Sequence, residues 1–197
     1  MKAAKVKGEW GYINDRRLKV AVITLFMYAC AIGLFLFGLK LTNTRKNLYT
    51  ILAVLSILPA SKSMVNMIMF FRFTSLSREK FNEFSNAAGS VPIIYELPFT
   101  TYEKTYFVES VACKGKSIAC FYSVKPGKGI SEEKIISKLK EHLETVLKND
   151  GHSGFVVKIF TVKDDFLRRL HEMDDNNPGT DPELDKSILN TFKSVSL

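Results

Sequence analysis

Residues 20–39 (VAVITLFMYACAIGLFLFGL) form a twenty-residue run without a single charge, and that run limits what the chain can fold into. A helix needs about 20 predominantly apolar residues to cross the hydrocarbon of a bilayer. The run is longer than the roughly 7–15 apolar residues of a cleaved signal sequence. A second apolar run, residues 49–71, follows almost at once and carries Pro59, Lys62 and Asn66. The pair predicts an α+β membrane protein with a two-helix transmembrane hairpin over residues 20–71. A basic juxtamembrane tail, 1–19, precedes it. A soluble α+β domain, 72–173, follows, and then an acidic linker with a short C-terminal helix, 174–197.

Charge supports this division. The net charge is +8. Residues 1–71 hold 10 Lys and Arg against Glu9 and Asp15, whereas residues 72–197 hold 18 basic and 18 acidic side chains. The whole excess therefore lies beside or within the apolar segment. Basic residues there favour a bilayer with anionic headgroups, and a neutral domain makes a nucleic-acid partner unlikely. A hairpin puts its two ends on one side of the membrane. The ends together carry +6 (residues 1–19 and 72–80), the 40–48 linker +3. The positive-inside rule then predicts an integral membrane protein with both termini cytoplasmic. Trp10 and Tyr12, among the basic residues of the tail, fit the headgroup region. The three cysteines, Cys30, Cys113 and Cys120, suit a reduced compartment and define no disulfide framework.

Lys62 is the costliest residue in the second run. It lies 13 residues beyond Tyr49, about 20 Å along a helix. An ammonium group at that depth must be paired, face a cavity or snorkel outward. Pro59, Lys62 and Asn66 share a helical face, bordered by Ser63. Such a stripe (Lys62, Ser63, Asn66) favours protein over lipid and points to self-association or to a membrane partner protein. A pore lined by Lys62 and Asn66 is another reading.

The remainder alternates helix and strand patterns. Residues 75–87 have apolar positions at helical spacing, with Ser75 or Ser77 as cap. Residues 91–97, bounded by Pro92 and Pro98, read as an edge strand. Residues 104–113 and 117–124, joined by Lys114-Gly115-Lys116, read as an antiparallel hairpin. Ser131 begins a helix with Glu132 and Glu133 in its first turn. Residues 155–160 read as a strand, Thr161 and Asp164 as a capping box, and Asp181-Pro182 as the start of a last helix. This order predicts a small antiparallel or mixed sheet, with covering helices on one face and the other face against the membrane, a helix or another subunit.

No pattern carries catalytic chemistry strongly. Gly115-Lys116-Ser117 resembles the end of a phosphate loop, but Ser110 stands where the earlier glycine belongs, and a strand follows. A hairpin turn explains it. Lys125 and Lys128, before a helix N-terminus, are candidates for an anion or headgroup contact. His142, His152 and His171 lack a metal spacing, and His142 reads as a surface group. No metal and no cofactor is expected. Glu96, Glu103 and Glu109 lie on or beside strands, where carboxylates of a metal-dependent nuclease gather.

The leading expectation is a non-enzymatic, membrane-anchored oligomeric scaffold or interaction protein with a cytoplasmic α+β domain. The alternatives are a membrane-tethered metal-dependent phosphodiester hydrolase and a small oligomeric channel or transporter.

Overall fold

The chain begins its regular structure with two long helices, α1 (Tyr12–Thr42) and α2 (Leu48–Phe71), of 31 and 24 residues. At 1.5 Å per residue they are about 46 and 36 Å long. Both are long and apolar enough to cross a membrane. This computed structural model describes residues 5–101, 104–123, 132–152, 154–175 and 181–197. Among them are six helices and a four-stranded mixed sheet. They divide into two units: Ile13–Thr74, and a second made of Met1–Tyr12 together with Ser75–Leu197.

In the first unit a short loop turns α1 back alongside α2. Asn47 caps α2 by accepting the Thr50 amide at 2.8 Å, and its amide nitrogen donates to the Thr44 carbonyl at 2.7 Å. The seam between the helices repeats every seven residues. Thr24, Ala31 and Gly38 lie buried on α1, and Ala53 and Ala60 on α2. A seven-residue repeat keeps one stripe of each helix in contact with the other, and small side chains let the backbones approach. A Cβ on Gly38 would overlap the Cβ of Tyr49. Thr24 and Ser63 share a hydrogen bond of 2.7 Å across the seam, and the Thr24 hydroxyl also reaches the Val20 carbonyl at 2.8 Å. The Thr24 and Ser63 hydroxyls thus find partners within the hairpin. α2 runs on through Pro59.

The second unit is built on the sheet β1 (Ile93–Thr100), β2 (Thr105–Lys114), β3 (Ser117–Phe121) and β4 (Val156–Phe160), in that spatial order. β1–β2 and β2–β3 are antiparallel; β3 and β4 are parallel. A parallel pair needs a crossover, and α4 (Glu132–Asn149) supplies it. The predicted hairpin closes at Lys114 and Ser117, and β1 is an edge strand, as its prolines suggest.

Helices cover both faces of the sheet, not one. α4 and α6 (Pro182–Val195) bury Leu139, Leu143, Ile188 and Phe192 against Val108, Val111 and Ile118. α3 (Arg78–Ala88) and α5 (Lys163–Asp175) bury Phe84, Phe166 and Leu170 against Ala112, Ala119 and Phe121. The second face, open in sequence to the membrane, a helix or another subunit, is thus taken by helices of this chain. Capping follows prediction at Ser77, which accepts the Lys80 amide, and at Asp181, which accepts the Glu183 amide with Pro182 at the first turn. Ser131, Lys125 and Lys128 lie outside the described residues, as does Glu103.

Residues before α1 join this unit. The Gly8 carbonyl accepts the Tyr95 amide at 2.9 Å, extending the sheet beyond β1. Trp10 stacks on Phe81 with ring centroids 4.8 Å apart, and its indole N–H donates to the Leu76 carbonyl at 2.8 Å. This contact lies within the sheet unit, whereas the basic-aromatic pattern of residues 1–19 alone points to headgroups. Lys7 donates to the Ser196 carbonyl at 2.5 Å, at the C-terminus of α6 where a cation is favoured.

Candidate functional site

On α2, Lys62 and Asn66 are exposed, as is Pro59, while Ser63 turns inward to Thr24. The four residues therefore do not act as one stripe: a single helical step separates the seam from the outer flank. Neither Lys62 nor Asn66 makes a hydrogen bond or ion pair among the described residues. The hairpin leaves an ammonium and a carboxamide on an otherwise apolar surface.

Glu96 and Glu109 lie across from each other between the pairs Tyr95↔Ser110 and Leu97↔Val108. The strands change phase there. Ile94 and Leu97, three residues apart, enter the same α4/α6 layer, and so do Val108 and Val111. Strict alternation would send such residues to opposite faces. Glu96 absorbs the slip with φ +58°, a left-handed conformation that costs a residue with a Cβ. Its carboxylate, 1 % exposed, accepts the Ser75 hydroxyl and, at 3.1 Å, the Leu76 amide. Glu109 instead pairs with Lys80 at 3.3 Å. Each carboxylate thus has its own donors: Glu96 holds the segment leading into α3, and Glu109 holds α3 itself through Lys80. Among the described residues no group of three or more His, Cys, Asp or Glu side chains could hold a metal.

A second polar cluster joins the β2–β3 turn to α5 and α6. Asp185, 1 % exposed, accepts the Gly115 amide at 2.9 Å and lies 3.8 Å from Cys113 Sγ. Burial raises its carboxyl above the ordinary value. Lys114 donates to the Asp174 carbonyl at 3.0 Å and to Ser90 at 3.3 Å. Asp174 is held below the ordinary carboxylate value by the Ser90 hydroxyl and amide. Gly115-Lys116 form the turn, with Gly115 at φ +62° and its amide held by Asp185, and Ser117 already belongs to β3. Sequence reasoning missed Asp185, since an acid in the first turn of a helix reads as solvated.

Among the other reactive types Cys30 and His171 are exposed, whereas Cys113 and Cys120 are buried. Desolvation pushes the Cys120 thiol up to about 12 and Cys113 higher still, so neither is a nucleophile near neutral pH. His142 is half-buried 6.4 Å from the Phe99 ring and is pushed down by desolvation; it is not the surface group its neighbour Glu141 suggested. An open cleft of about 280 Å³ beside β4 is lined by Lys158, Phe160, Asp165, Arg168, Arg169 and Glu172. Its guanidinium groups are already engaged. Arg169 holds Glu172 at 2.9 Å and Ser117 at 2.7 Å, and Arg168 holds Asp165.

Compared with protein-family models, with curated proteins and with solved structures, the chain gives no match.

Proposed function

We propose that the chain is a membrane-anchored scaffold that assembles with copies of itself through the outer flank of α2. The carrying observation is the exposure of Lys62 and Asn66 on an apolar helix surface. Polar side chains in a span are costly against lipid tails and favour a protein neighbour or an interfacial group, and α1 is already committed to the small-residue seam. In this reading α1 and α2 span the bilayer. The chain leaves the sheet unit at Tyr12 and returns to it at Ser75, so both connections lie at one end of the hairpin. The charge balance at that end supports a cytoplasmic domain. The domain's own polar clusters hold α3 and α6 in place and leave it to serve as an interaction surface.

Native mass spectrometry of the protein in nanodiscs tests this. A discrete oligomer is expected, converted to monomer by the Lys62→Leu, Asn66→Leu pair. A wild-type monomer across lipid compositions, with no crosslinked species in membranes, removes the self-assembly reading.

A further inference from the structure

The depth of Lys62 follows from two contacts within the hairpin. Thr24 is level with Ser63. Gly38, fourteen residues further along α1, packs on Tyr49, fourteen residues back along α2. One antiparallel register satisfies both. The uncharged residues 20–39 of α1 therefore lie alongside residues 48–67 of α2, and α2 begins at Leu48. If this band is the hydrocarbon slab, its domain-side boundary lies at Val20 and Met67. Lys62 is five residues inside that boundary, about 7 Å. That is within reach of a lysine stem, which buries its methylenes and carries the ammonium to the interface.

Charge then selects what meets it. Residues 13–74 contain eight Lys and Arg but a single acid, Asp15. In the same register Asp15 is level with Arg72, about 15 Å from Lys62 along the axis. A second copy packed on this flank brings another Lys62 and no carboxylate at that depth. The counter-charge has to come from outside the hairpin.

A second base approaches the same place. Tyr28 reaches Met64 Sδ at 3.5 Å on one flank of the seam. Helical periodicity puts Lys62 and Asn66 on the other flank, with Ile23 and Arg16 of α1. Arg16 is exposed and lies just beyond the domain-side boundary. Lys62 rising from below and Arg16 from above bracket the phosphate level, and the Asn66 carboxamide, one residue inside the boundary, adds a neutral donor.

We infer that the α2 flank carries a site for the phosphate of an anionic phospholipid in the domain-side leaflet, formed by Lys62, Asn66 and Arg16. The inference rests on the spanning reading of α1 and α2 but not on self-assembly. It makes the lipid the ion that neutralises Lys62 wherever copies meet.

Native mass spectrometry on nanodiscs of phosphatidylcholine, with and without phosphatidylglycerol, tests the site in the full chain. Wild-type protein is expected to retain phosphatidylglycerol over phosphatidylcholine. Lys62→Gln should reduce that retention about fivefold, as removal of one interfacial basic residue does. Lys62→Arg should keep it, which separates loss of charge from misfolding. Inorganic phosphate added to phosphatidylcholine discs should not substitute; if it binds equally well and displaces the lipid, the site is for free phosphate and the lipid assignment is overturned. Equal retention of both lipids, or retention unchanged by Lys62→Gln in an embedded chain, also overturns it. Release of the wild-type chain from membranes by alkaline carbonate overturns the spanning reading instead.

Discussion

The Leu76 amide donates to the Glu96 carboxylate at 3.1 Å, and the glutamate that receives it has its own backbone in the left-handed region at φ +58°. The two facts belong together. The left-handed turn shifts the side-chain phase of β1, and the buried carboxylate satisfies the segment that begins the domain after α2.

Glu96→Ala keeps the unfavourable backbone and removes the acceptor from a buried amide and the Ser75 hydroxyl. An unsatisfied buried donor costs roughly 1–3 kcal/mol. The variant should unfold at lower denaturant by about that amount. Glu96→Gly relaxes φ and should recover part of the loss. Equal stability of Glu96→Ala and wild type in a denaturant titration would sink this account.

Gly8 has φ +88°, and a Cβ there would lie 2.7 Å from the Lys193 side chain and 3.3 Å from Ile94. Gly8→Val should therefore break the Gly8–Tyr95 bridge at a cost of about 1–2 kcal/mol from backbone strain alone. Limited trypsin digestion is the measure: cleavage at Lys5 and Lys7 should accelerate while the remainder of the domain stays resistant. An unchanged digestion pattern would mean that the N-terminal segment does not depend on this bridge.

Asp185 should make stability depend on pH with an unusual sign. Burial raises its folded value above the ordinary 3.8, so the folded state holds the proton more tightly than the unfolded chain. Its contribution is complete below 3.8 and is lost as pH rises through the raised folded value. Asp174 opposes this: it is held low by Ser90, so its contribution is present above its unfolded value and lost on acidification. Asp185→Asn keeps an acceptor for the Gly115 amide and removes the buried charge. Relative to wild type it should gain stability at pH 7 to 8, with the gap closing toward 3.8. A gap that stays constant across that range contradicts the buried-carboxyl account.

Gly38 permits the close approach of Tyr49 near the hairpin loop. Gly38→Val forces the helices apart there and also weakens the Phe37–Tyr49 edge contact at 5.6 Å. Overpacking of this kind costs roughly 1–3 kcal/mol. Paired cysteines near Thr24 and Ser63 should still crosslink, whereas a pair at Leu39 and Leu48 should lose efficiency. If both pairs crosslink as in wild type, Gly38 is not a packing requirement.

Local chemistry in the sequence already determined much of this protein. A twenty-residue uncharged run can bury itself only in lipid or in a core, so the apolar stretches of α1 and α2 were readable from length and composition, whereas the start of α1 at Tyr12, inside the basic tail, was not. Ser77, Asp181-Pro182 and the Lys114–Ser117 turn were readable because caps and turns depend on a few adjacent residues. The candidate stripe was readable only in part. Lys62 and Asn66 point outward as a pair, but Ser63, beside them in sequence, belongs to the seam with Thr24.

Tertiary structure decided what depends on partners far along the chain. Glu96 reads as a strand carboxylate until Leu76 and Ser75, some twenty residues earlier, are brought to it. Trp10 reads as an interfacial ring until Phe81 arrives beneath it. Asp185 reads as a solvated helix acid until the Gly115 turn closes over it. Periodicity records which face of an element is apolar, and it carries no record of what will cover that face. The slip of β1 and β2 at Glu96 and Glu109 hid even the faces, because each strand changes phase halfway. Packing against two helical layers, which no single segment encodes, resolved them.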